Sequence, residues 1–214
     1  LCARLHLRDY YTKATYYRFF IPELFPQYDR GLYLDCDIAI NCDIARLYNC
    51  PMGQNLVAGI PEEVMTIDIF GKYSEIVLGI DRNDYFNAGI IVMNLKKMRN
   101  ICIEKQFADL LGVRACRVAQ DQDYLNLICH GQVFYLNVKW NKTPMPNSNT
   151  NIIPNIVHYK INFKPWRYDN IPYGEHFWKY AEKTEFYDML CEIKRNYSAA
   201  EVARDTMQYN HLVS

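Results

Sequence analysis

RGLYLDCDIAI, residues 30–40, decides how the rest of this 214-residue chain is read. Apolar runs, Leu32-Tyr33-Leu34 and Ile38-Ala39-Ile40, stand on either side of Asp35-Cys36-Asp37. The pattern reads as a buried strand carrying two acids at or near its end. In an extended chain residues i and i+2 point to the same side, so Asp35 and Asp37 present their carboxylates together. Carboxylates that close repel each other and are costly to bury unpaired. A hard divalent cation (magnesium, manganese or calcium) resolves the conflict, because oxygen ligands suit it. The plain alternative is a strand end with two solvated acids, and this stretch alone does not choose.

Working outward, residues 56–60 read as a short strand closed by Pro61, and 62–84 as a loop with helical turns. Residues 85–94, YFNAGIIVMN, are a core strand by their β-branched run. Small Ala88 and Gly89 allow close approach at its start, where Asn87 is either a turn residue or a polar group offered to a ligand. Helices are expected over 95–99 and 103–111, and a short one over 44–48. Asp121-Gln122-Asp123 opens another helix with acids at its positive end; capping accounts for one acid, and Gln122 can face a ligand. Residues 132–138 read as a strand, 143–155 as a loop, and 155–159 as a short strand ending at His158. A histidine there is either a satisfied structural residue or a ligand; Lys164 six residues on can meet a phosphate, with Trp166 to shield it.

Upstream, Thr12 or Thr15 caps an aromatic-rich helix running towards Pro22 or Pro26. Arg18 within it is either a surface arginine lying over aromatics or a planar fork for a phosphate. From Gly174 onward the pattern is helical, with aromatics on one face for core packing or for resting on a membrane surface. Strands alternating with helical segments predict an α/β fold with a mostly parallel sheet. Ligands of such sheets bind at the carboxyl ends of strands, which places Asp35, Asp37, Asn87 and His158 near one rim.

Half the residues are hydrophobic and 22% are charged, so the chain can bury a sizeable core. Its 24 basic and 24 acidic residues balance, which argues against bulk electrostatic binding of nucleic acid. The 18 tyrosines suit stacking on sugars as well as ordinary packing. Eight cysteines without a C-x-x-C pair read as reduced, mostly buried thiols in a cytoplasmic protein. No apolar stretch approaches the ~18 residues a spanning helix needs.

Four stretches in order, ATYYRFFIPELFPQYDRGLYLDCDIAI (14–40), YFNAGIIVMNLKKMR (85–99), DQDYLN (121–126) and HYKINFKPW (158–166), resemble glycosyltransferase family 8. The resemblance is closest to bacterial members that build lipopolysaccharide and other surface glycans. It implies a GT-A-type α/β fold: a mixed, mostly parallel sheet flanked by helices, with a helical C-terminal part. Residues 1–187 would form the catalytic domain and 188–214 a helical tail. The implied activity is retaining transfer of glucose or galactose from a UDP-sugar to a glycan or glycolipid acceptor. It implies manganese, or magnesium, and a cytoplasmic location with contact to the inner face of the membrane.

Residue by residue, Asp35, Asp37 and His158 match the family's metal ligands. Arg18, Asp35, Asn87 and Lys164 match donor-binding positions. Gln122, Asp121 and Asn87 match residues around the reaction centre. The pattern departs from the family at Ile161, where a glycine three residues after the histidine is usual. It also departs at the start, where the βα segment holding uracil and ribose is missing before the paired acids. A non-catalytic glycan-binding or scaffold remnant of the same fold is the main alternative. A phosphatase of the haloacid dehalogenase type would want a small hydroxyl residue where Ala39 stands.

Overall fold

The computed structural model describes residue 5 and residues 13–116, 118–145 and 151–213; the expected cap at Thr12 lies outside them. The strands are β1 (Gly31–Leu34), β2 (Ile38–Ile40), β3 (Val57–Pro61), β4 (Phe86–Met93), β5 (Val133–Tyr135) and β6 (Ile156–His158). The helices are α1 (Ile21–Leu24), α2 (Ala45–Tyr48), α3 (Asp68–Lys72), α4 (Leu95–Asn100) and α5 (Ile103–Val113). They continue with α6 (Asp121–Cys129), α7 (Gly174–Ala181), α8 (Tyr187–Asn196) and α9 (Ala199–Val213). Two compact units divide the chain. One holds the residues up to Leu34 and Ala45–Leu136; the other holds Asp35–Ile44 and Asn137 onward. Among the described residues no helix is long and apolar enough to cross a membrane.

In the first unit the sheet runs β1-β4-β3-β5. All eight residues of β4 are buried, as its β-branched run Ile90-Ile91-Val92 anticipates for a central strand. The fold is α/β with a mixed sheet, but the expected preponderance of parallel ladders is not found among the described residues. β4 is antiparallel to β1 and to β3, and parallel pairing occurs between β3 and β5. Register slips between Ala58 and Ile60, where Gly59 leaves space that a Cβ would lose by coming within 2.9 Å of the Phe86 ring. Pro61 ends β3, and the strand expected over 132–138 shortens to β5 before a 3-10 turn at Val138–Trp140.

The 3-10 segment Lys13–Phe20 and helices α5 and α6 meet through an aromatic cluster. Phe19 and Phe107 stack with ring centroids 4.2 Å apart, while Tyr16 and Tyr124 lie 5.7 and 5.4 Å from Phe107. All four side chains are buried. Phe107→Leu keeps the apolar bulk and removes the ring contacts. The expected loss is about 1.5 kcal/mol, read as a lower urea midpoint with an unchanged slope.

The second unit carries β2 paired antiparallel with β6, backed by Tyr159, Tyr173, Trp166, Ile171 and Phe177. Tyr159 donates its hydroxyl to the Tyr173 carbonyl at 2.6 Å. The single strand read over residues 30–40 is therefore two strands in two sheets. The break falls on Asp35-Cys36-Asp37, which bend instead of continuing the pleat. β1 is half-buried, because it edges its sheet. None of the seven described cysteines forms a disulfide; Cys50, Cys116 and Cys129 are buried, whereas Cys36 and Cys102 are exposed, contrary to the expectation that most are buried.

Candidate active site

Asp35 and Asp37 come together through a bend and a strand pair, not through the alternation of an extended chain. The antiparallel register sets Ile38 opposite His158, and the Tyr159 N–H donates to the Asp37 carbonyl at 2.8 Å. These bonds carry the histidine to the acids. Its Nε2 lies 3.2 Å from Asp37 Oδ1 and 3.6 Å from Asp35 Oδ2. One ligand atom from each of the three residues lies within 4.8 Å of the others.

On the other side of the ring, His158 Nδ1 is 3.0 Å from Asn141 Oδ1. A carbonyl oxygen can only accept, so Nδ1 carries the proton and Nε2 is turned to the carboxylates. That Nε2 is buried and meets no hydrogen-bond partner. Lys164 Nζ lies 2.5 Å from Asp37 Oδ2 and 5.4 Å from the centre of the Trp166 ring, so Trp166 does shelter the lysine. Burial would push the Asp37 pKa up, but the His158 ring and the charged, hydrogen-bonding Lys164 beside the carboxylate outweigh it. The carboxyl is held well below the usual range. Oxygen and imidazole donors, one of them orphaned and buried, fit a hard or borderline divalent ion. Ile161, at the position where a glycine was looked for, holds φ at +55°, the left-handed conformation a glycine would favour.

The remaining expected residues lie in the first unit. Arg18 is 4% exposed, which corrects the reading of a surface arginine. Its guanidinium donates to the carbonyls of Thr15 (2.9 Å) and Ala88 and sits 3.0 Å from Asp121 and 4.2 Å over the Tyr33 ring. Asn87 belongs to β4, not to a turn. It stands at that strand's amino end, beside the carboxyl end of β1 because the two are antiparallel. Gln122 Oε1 accepts from the Ala88 N–H at 2.9 Å and from the Asn87 amide at 3.2 Å, and its Nε2 reaches the Tyr85 hydroxyl at 3.4 Å. Asn87 also donates to Glu62 at 2.6 Å.

Asp123, fully buried, accepts from the hydroxyls of Tyr73 and Tyr85 at 2.7 Å each and from the Ala119 N–H at 3.1 Å. Burial nevertheless raises its pKa above the ordinary value. It is the structural acid of the pair; Asp121 is the one set against Arg18. Sequence reasoning missed Asn141, Glu62 and Tyr85. Only the tyrosine, next to the YFNAG run, stood in a stretch already singled out.

A sequence profile of glycosyl transferase family 8 matches residues 3–170. The chain belongs to glycosyl transferase family 8. Among family relatives, General stress protein A of Bacillus subtilis is 27% identical over 82% of this chain and 67% of its own length. The lipopolysaccharide 1,3-galactosyltransferase of Salmonella typhimurium is 30% identical over 73% of this chain and 50% of its own. The structure of galactosyltransferase LgtC in complex with donor and acceptor sugar analogs superposes with a TM-score of 0.71 at 26% identity, covering 86% of this chain and 72% of that one. The fold is thus of the GT-A type, and the family is one of transferases. The chain spans 67% of one curated relative's length and 41% of another's.

Proposed function

We propose that this chain handles the donor in a retaining hexosyl transfer, from UDP-glucose or UDP-galactose to a glycan, lipopolysaccharide or other glycolipid acceptor. The observation that carries the reading is the Asp35–Asp37–His158 cluster with Lys164 against it. A divalent ion held by those three residues, manganese or magnesium, would supply the positive charge that a diphosphate leaving group needs. Lys164 adds a cation beside the same oxygens, where it stabilises negative charge most as that charge develops. Arg18 is paired with Asp121, so what it offers a donor is a fixed charge, not a mobile ligand.

Gln122, Asp121 and Asn87 are assigned to the sugar side of the reaction. The bonds from Ala88 and Asn87 hold the Gln122 carbonyl in place, so it acts as a fixed dipole. Residues 1–187 are assigned to catalysis and 188–214 to a helical tail. The described cysteines, none of them in a disulfide, support a reducing, cytoplasmic setting, and a glycolipid acceptor would bring the protein to a membrane's inner face.

Calorimetric titration of the chain with UDP, with and without manganese, tests this function: binding that requires manganese supports it, and no binding under either condition refutes it. Asn141 supplies a narrower check. Asn141→Ala frees the His158 ring to rotate or change tautomer, and manganese affinity should fall ~10–100-fold, followed by the electron paramagnetic resonance signal of free manganese.

A further inference from the structure

Helices α8 and α9 lie beyond residue 170, where the family match ends. Among the described side chains, neither buries an apolar residue. α8 has no buried residue, and Asp205 is the buried side chain among those described on α9. It is 4% exposed. Its Oδ2 accepts from the Tyr168 hydroxyl at 2.7 Å and the Tyr197 hydroxyl at 2.6 Å, and lies 3.4 Å from Arg167 Nη1. Its backbone carbonyl accepts from the Asn162 amide at 2.8 Å. The rings close around this point, with Tyr168 and Tyr197 edge to face at 5.5 Å and Arg167 5.4 Å over Tyr197.

Asn162, Arg167 and Tyr168 bracket Lys164. The turn between them is short: the Lys164 N–H donates to the Asn162 carbonyl at 2.9 Å, and the Lys164 carbonyl accepts from Arg167 at 2.9 Å and Tyr168 at 3.0 Å. Both flanks of the turn are therefore pinned to α9. A buried carboxylate is a poor choice for stability alone, since well-packed apolar groups serve that end as well or better; what it adds is a specified arrangement.

We propose that Asp205 is a positioning residue: through Arg167 and Tyr168 its carboxylate fixes the turn that sets Lys164 against Asp37, while its backbone carbonyl holds Asn162 on the other flank. The role of Lys164 rests on the function proposed above; the latch itself does not. Its test compares the intact chain with Asp205→Asn and, should that variant fold poorly, with Tyr168→Phe. Hydrogen exchange should accelerate at the Phe163, Lys164, Arg167 and Tyr168 amides. UDP affinity in manganese should fall about tenfold. In a Lys164→Ala background the same Asp205→Asn change should cost less than about twofold, because a lost effect cannot be lost again.

Unchanged exchange at those amides overturns the proposal, and so does an equal loss of affinity in the Lys164→Ala background. Should the unsubstituted chain bind no UDP, the proposed function fails instead. Exchange then decides the latch alone: faster supports it, unchanged overturns it.

Discussion

Asp37→Asn is expected to abolish manganese-dependent UDP binding. The carboxylate is the hub of its cluster: Oδ1 is 3.2 Å from His158 Nε2, and Oδ2 is 2.5 Å from Lys164 Nζ. An amide of the same shape offers one neutral oxygen where two charged ones stood, and its N–H2 end faces either a histidine nitrogen or an ammonium. Removing a group that only orients a ligand costs ~10–100-fold in metal affinity, and removing the ligand should cost more. The fold should tolerate the change. The bond that ties the bend to β6 uses the Asp37 backbone carbonyl, which the substitution leaves in place. Calorimetry with UDP and manganese measures the loss, and a thermal melt close to that of the unsubstituted chain assigns it to the site. Undiminished manganese-dependent binding would remove Asp37 from the metal set.

This pair of acids also shows what a sequence conveys. That Asp35 and Asp37 would stand together was legible, but the geometry inferred for them was not. Apolar runs on both sides of Asp35-Cys36-Asp37 look like one strand, and nothing in their spacing marks the bend that sends them into different sheets. β4, α4 and α6 were legible because local rules agree there: a β-branched run, Asn94 accepting from the Lys97 N–H at 3.0 Å, and acids in a first turn. Strand direction was not, since alternating helical and extended patterns suggest parallel ladders whether or not the chain makes the crossovers.

Long-range neutralisation is the general blind spot. A surface role stayed open for Arg18 because Asp121, its partner, is remote in sequence; Asn141 with His158 and Glu62 with Asn87 are likewise remote pairs. At the other end, Ser198 and Glu201 exchange bonds of 2.8 and 3.3 Å at the start of α9, a reciprocal cap that the reading of residues 174 onward as helical did not single out. The acid four residues further on, which pins the helix, carries no such local signal.

Asp123→Ala should be the most destabilising single change in the first unit. The side chain is fully buried and accepts two phenolic hydroxyls and one backbone N–H. Truncation leaves all three donors without their acceptor, at ~1–3 kcal/mol each. A total loss of about 5 kcal/mol is a large share of ordinary domain stability, and urea unfolding would read it directly.

Asp123→Asn separates charge from hydrogen bonding. In the fold this carboxyl has a raised pKa, so its contribution is fully present below the unfolded-state value of 3.8 and is lost as pH rises through the folded one. The asparagine variant cannot ionise, and its stability should lack that decline while still suffering from a single carbonyl facing two hydroxyls. Tyr85 ties the outcome to the candidate site, because its hydroxyl meets both Asp123 and Gln122. Loss of the acid should therefore loosen Gln122 as well as the fold. An Asp123→Ala loss below about 1 kcal/mol would mean the tyrosines find other acceptors, and the anchor of Gln122 would have to be sought in Asn87 and Ala88 alone.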